Sequence, residues 1–170
     1  MQRIFIFLTL LTFSGCIFAG NKEFSIDGKF YAFFPFEPQF SGEIGQGAAK
    51  HRSYSATDES NIIIYNGTYQ VGYATYKQDQ VKKAMENYVL GQATIVGGSV
   101  VKSELIKHYQ ADAVLFEIHY SMEGVSVVKY GIAVYKRGHF YQWAVQEFPK
   151  FSKKNGRSIF EQGLRAFRLQ

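Results

Sequence analysis

The sequence predicts an α+β fold, a mostly antiparallel β-sheet packed against two α-helices. Aromatic residues make up 17% of the chain, with 16 Phe and 12 Tyr, a composition that favours strands. Two segments, 79–96 and 158–167, carry apolar residues at helical spacing, and each such stripe needs a sheet face to cover. Between the helices, alternating runs are joined by short connections, as in an antiparallel meander.

Residues 1–19 read as a secretory signal peptide. Arg3 supplies the charge, 4–13 is an apolar run, and Ser14-Gly15 and Ile17-Phe18-Ala19 offer small-residue cleavage sites. The run is shorter than the roughly 20 apolar residues of a spanning helix. The expected product is exported, periplasmic or secreted, and begins at Gly20. The alternative is a signal over 1–15 and a membrane anchor, because Phe13-Ser14-Gly15-Cys16 resembles a lipobox in which Cys16 is lipidated. Cys16 is the sole cysteine, so an intrachain disulfide and a cysteine metal site are excluded. A single domain is expected over 24–169.

After a polar lead-in at 20–23, residues 29–34 read as a strand ended by Pro35 and Pro38. Gly and Ser mark 39–49 as a loop, and 50–57 alternates like a strand. Asn66-Gly67 between 62–65 and 68–71 predicts a hairpin whose second arm runs to Tyr76. Val81, Ala84, Met85, Tyr88 and Val89 form the first helical stripe, with Asp79 as N-cap and Gly97-Gly98 as the stop. Strands follow at 100–109, around Val114, Phe116, Ile118 and Tyr120, around Val128, Tyr130, Ile132 and Val134, and at 139–147 after a turn at Arg137-Gly138. Ser158 and Glu161 read as a capping box, followed by Phe160, Gly163, Leu164 and Phe167 on one face.

Charge is uneven. Lys136, Arg137, Lys150, Lys153, Lys154, Arg157, Arg165 and Arg168 crowd the last 35 residues against only Glu147 and Glu161. If the turns on either side of 138–147 share one sheet edge, Lys136, Arg137, Lys150, Lys153, Lys154 and Arg157 make a patch for an anionic membrane or acidic partner. The alternative is a solvated face, and export argues against nucleic acid.

Motifs for catalysis are sparse. His51, His108, His119 and His139 fall in no metal-binding spacing, although His119 and His139 could meet with Glu117 across the sheet. Glu104, Asp112, Glu117 and Glu123 are candidates for paired carboxylates, and turns or outer strand faces explain them equally. There is no G-x-S-x-G elbow, Walker loop or G-x-G-x-x-G. No cofactor is expected. Asn66-Gly67-Thr68 matches a glycosylation sequon, which the turn reading outweighs. Tyr135, Phe140, Tyr141 and Trp143 are expected in the core, with a ligand groove as the alternative.

Phe33-Phe34-Pro35-Phe36-Glu37-Pro38, the aromatic run Phe140-Tyr141-Gln142-Trp143-Ala144 and the ending over 160–169 resemble the PsbP-like family across about 24–169. The resemblance implies an antiparallel sheet packed against helices, and a binding or assembly role of the kind its better-understood members perform. It transfers no site residue, because that family has no shared site motif. The expected function is therefore a non-enzymatic binding or accessory protein of the bacterial cell envelope, monomeric, with an envelope protein or anionic membrane as partner. The alternative is a small-ligand-binding protein or hydrolase with a pocket between sheet and helix.

Overall fold

A computed structural model describes residues 22–170; the expected signal peptide and Cys16 lie outside the described residues. In chain order the elements are β1 (Lys22–Ile26), β2 (Phe30–Phe34), β3 (Gln39–Ile44), β4 (His51–Asp58), β5 (Ile63–Gln70), α1 (Gln78–Ile95), β6 (Ser99–His108), β7 (Ala111–Met122), β8 (Val125–Lys136), β9 (His139–Glu147), α2 (Gly156–Gly163) and β10 (Arg168–Leu169). Seven strands form one sheet in the order β3-β4-β5-β9-β8-β7-β6, every neighbour antiparallel. A small sheet, β1-β2-β10, accompanies it. The predicted fold class is the observed one.

Both faces of the large sheet are used. On one, Val81, Met85, Val89 and Ala93 of α1 pack with Val114, Phe116, Ile118, Ala133 and Phe140 of the strands. On the other, the small sheet and α2 close over Trp143, Ile132, Val145 and Ile63, using Phe30, Phe34, Phe160 and Phe167. Trp143 is fully buried, donates from Nε1 to the Phe33 carbonyl at 2.9 Å, and stacks on Phe160 at 5.4 Å. The face expected from Val114, Phe116, Ile118 and Tyr120, and that from Val128, Tyr130, Ile132 and Val134, both alternate as predicted, with the first set turned toward α1 and the second away from it. Both outer strands carry irregularities, β3 between Phe40 and Gly42 and β6 between Val100 and Lys102.

Several local expectations are overturned. Asn66-Gly67 is no turn: it lies inside the continuous strand β5, which ends at Gln70. Gly67 serves packing instead, since a Cβ there would stand 3.0 Å from the Phe34 ring and 3.1 Å from that of Phe30. Asp27-Gly28, with φ of 47° and 62°, is a hairpin turn, and it folds the supposed lead-in onto β2 as β1. Residues 39–49 are not loop throughout, because β3 pairs with β4 before a 3-10 turn at Gly47–Ala49. Helix α1 is capped at Lys77, with Asp79 in its first turn, and α2 begins two residues before the expected box. Asn155 is its cap, accepting from the Ser158 amide at 2.9 Å. Helix α1 ends at Ile95, just before the predicted glycine stop.

Two glycines on the helices test this packing in opposite directions. A Cβ at Gly163 would fall 2.3 Å from Trp143, so Gly163→Ala should lower unfolding free energy by about 1–3 kcal/mol through overpacking. A Cβ at Gly91 meets nothing within 4 Å, so Gly91→Ala should raise it by about 0.5–1 kcal/mol. Urea denaturation of the two variants measures both.

Candidate functional site

Helix α1 lies over β6, β7, β8 and the Phe140 end of β9, and packs most closely on β6 and β7, with the same face of the rest of β9, β5 and β4 lying beyond its main contact. The side chains change accordingly. Beneath the helix they are apolar, whereas beyond it Gln142 on β9, Thr68 on β5 and Ser53 on β4 fall in one cross-strand register. Asn66 and Gln146 extend this polar floor. Residues Asn87, Tyr88, Gly91, Gln92 and Ile95 of α1 form one wall of a cleft, and Ser41, Gly42 and Ile44 of β3 the other. The cavity measures about 490 Å³, the size of a small-molecule site.

Most floor groups are tied down. Gln142 Oε1 accepts from the Tyr88 hydroxyl at 3.2 Å, Gln146 Oε1 accepts from Tyr120, and Ser53 and Thr68 hydroxyls lie 3.4 Å apart. Burial raises Tyr88 and Tyr120 above the usual phenol range, which keeps both as neutral donors.

Three groups are different. Lys129 projects from β8 opposite Gln146, is 9% exposed, and donates to Gln92 Oε1 at 2.9 Å with the Phe116 ring 6.0 Å away. Among the described residues no carboxylate lies within 4 Å of it. Burial lowers its pKa to about 8. His51, at the far end of the cleft, has Nδ1 2.7 Å from the Ala49 carbonyl. A carbonyl only accepts, so Nδ1 carries the hydrogen, and burial holds the ring below the usual imidazole pKa. Neutral His51 therefore keeps an acceptor lone pair on Nε2, an atom that is buried and has no partner among the described residues. Asn66 Nδ2 is likewise a buried donor without one. Leaving such atoms unpaired costs about 1–3 kcal/mol each.

The residues singled out from sequence are dispersed. Lys136 and Arg137 occupy the β8–β9 turn, whereas Lys150, Lys153 and Lys154 follow the opposite end of β9, about 30 Å away at ~3.4 Å per residue. The six basic residues thus do not form one patch. Arg157 binds Glu117 at 2.6 Å and lies over the Tyr130 ring, fastening α2 to the sheet. His119 meets Glu117 at 2.7 Å, but His139 sits at the other end of β9 against Gln70 and Gly72 carbonyls. No metal-holding group of His, Cys, Asp and Glu occurs among the described residues. Glu104 and Asp112 pair with Lys102 and Lys107, and Glu123 occupies the β7–β8 turn. His108 contacts the Phe167 carbonyl. The aromatic group divides, Tyr135 and Phe140 toward α1, Tyr141 and Trp143 toward the small sheet. Of the histidines considered, only His51 lines the cleft. Lys129 was signalled only by being a lysine in an otherwise apolar strand face.

The lowered pKa of Lys129 has a measurable consequence. Between about 8 and the ordinary 10.5 the unfolded chain binds the proton more tightly, so its penalty is full below pH 8 and fades as pH rises through that window. Lys129→Met should therefore exceed wild type in unfolding free energy by about 3 kcal/mol at pH 7, with the difference shrinking toward pH 10. Chemical denaturation across pH, with NMR titration of the lysine, checks both sign and midpoint.

No protein-family profile matches the sequence, and no curated protein matches it. Among solved structures, cyanobacterial PsbP (CyanoP) from Synechocystis sp. PCC 6803 aligns with a TM-score of 0.60 over 95% of this chain and 99% of that one, at 10% identity. A Pseudomonas aeruginosa protein of unknown function, PA94, aligns with a TM-score of 0.46 over 83% of this chain and 88% of that one, at 11% identity. At 10% identity the first likeness is one of architecture: the chain has a PsbP-like fold.

Proposed function

We propose that the chain is an exported, non-enzymatic binding protein of the bacterial cell envelope, and that the cleft beside α1 is where it binds a small ligand. One observation carries the second statement. A buried cation without a carboxylate, an unpaired His51 acceptor and an unpaired Asn66 donor all belong to the same cleft. Buried polar atoms are nearly always paired, and a ligand is the natural completion of several orphans in one cavity. Binding is favoured over hydrolysis because a base that activates a nucleophile lies within hydrogen-bond reach of it, and among the described residues His51 Nε2 has no hydroxyl there. Export rests on the amino-terminal charge, apolar run and small-residue sites.

The link between β9 and α2 favours a second, separable contact. Lys150, Lys153 and Lys154 are exposed there, and Phe151 beside them is 45% exposed, which suits an anionic membrane surface or acidic partner.

Each part has its own measurement. Intact mass of the processed protein should correspond to a chain starting at Gly20 or at a lipidated Cys16; an uncleaved chain in the cytosol refutes export. In an NMR screen of small molecules, hits should shift amides of 41–45, 87–96 and 129, and Gly91→Leu, which fills open space beside the helix, should abolish them. Hits that map elsewhere refute the cleft. Association with phosphatidylglycerol vesicles should weaken with salt and on replacing Lys150, Lys153 and Lys154 by Ser, by about 1 kcal/mol per charge.

A further inference from the structure

We propose that the cleft beside α1 takes a small carboxylate whose body carries hydrogen-bonding groups, the carboxylate meeting Lys129 Nζ. This rests on the reading of that cleft as the binding site.

The charge of the lining selects the class. Of the described residues that line the cavity, Lys129 is the only one charged at neutral pH; no Arg, Asp or Glu is among them. Gln92 occupies one of the three ammonium hydrogens, leaving two donors on a side chain that is largely buried. An ammonium so placed favours an anion strongly. One lysine beside a neutral imidazole balances one negative charge, which matches a carboxylate and falls short of the two charges and several oxygens of a phosphate monoester.

The remaining orphans describe the body. His51 Nε2 requires a hydroxyl or N–H, and Asn66 Nδ2 requires an oxygen. Asn66 falls two residues along the strand direction from the Lys129–Gln146 register, about 7 Å at ~3.3 Å per residue and within reach of a small body, whereas His51 falls six residues away, about 20 Å, and is reached only by a longer, extended ligand. Ile44 and Ile95, both largely exposed, provide an apolar rim opposite the polar floor. Gly91 interrupts the helix wall with space that a side chain would fill. Acidic sugars and the carboxyl end of a short peptide share this chemistry.

The test uses the expected mature chain from Gly20 and four probes, glucuronate and glucose, and N-acetyl-trialanine and its C-terminal amide, titrated by amide chemical shift at pH 7. At least one acid is expected to shift 87–96, 129 and 146 and to bind about tenfold or more tightly than its neutral partner, and the acid that binds identifies the source. Lys129→Met should remove that preference by the same factor while, as argued above, the fold is stabilised; Gly91→Leu should block every probe. If neutral and acid probes bind equally at the cleft, or Lys129→Met binds acids as wild type does, the carboxylate inference falls and the cleft remains a binding site. If no probe shifts cleft amides at 10 mM, both readings fall.

Discussion

A single helix is too narrow for a seven-stranded sheet. A helix with its side chains is about 10–12 Å across and strands lie about 4.8 Å apart, so one helix shelters two or three of them. Helix α1 does this over β6, β7 and β8, and the rest of that face must either be polar or find another cover. The chain takes the polar course. Ala133, Phe116 and Val114 give way across the sheet to Gln142, Thr68 and Ser53, and the cleft is the trench at that boundary. Lys129 stands at the boundary itself, with its ammonium on Gln92 and 6.0 Å from the centre of the Phe116 ring. The candidate site follows from the width of a helix.

The opposite face solves the same problem differently. There α2 shares the load with the small sheet, and Trp143 is the point on which both converge. That arrangement depends on removing side chains where rings must approach. Gly163 admits the indole, and Gly67 admits Phe30 and Phe34. The first and last strands of the described chain meet in that small sheet, since β10 pairs with β2. Closing β1, β2 and β10 over one face secures it with few residues, and leaves the other to α1 and the cleft.

Long periodic segments were legible in the sequence, because a stripe such as Val81, Met85 and Val89 or an alternation such as Val114, Phe116 and Ile118 is local physics. Punctuation was less so. Asn66-Gly67 and Asp27-Gly28 are both strong turn dipeptides, and only the second is a turn, because rings from another part of the chain claim the space above Gly67. Ser158 and Asn155 competed for one cap, and the residue with the right backbone won. The site was least legible of all. Ser53, Asn66, Gln92, Lys129 and Gln142 come from five elements, and nothing short of the order β4-β5-β9-β8 brings them together. A lysine between Val128 and Tyr130 was the one local hint.

The irregularities in β3 and β6 reach beyond local geometry. Each sits on an outermost strand, where a regular row of free amides and carbonyls would be a template for another sheet. An extra residue at that place twists the rim and breaks its repeat, and Lys102 and Lys107 add charge along one of the two. A chain so rich in Phe and Tyr has every compositional reason to stack into fibres when crowded. Its two spoiled rims work against that outcome, and they do so in the backbone, independently of what fills the cleft.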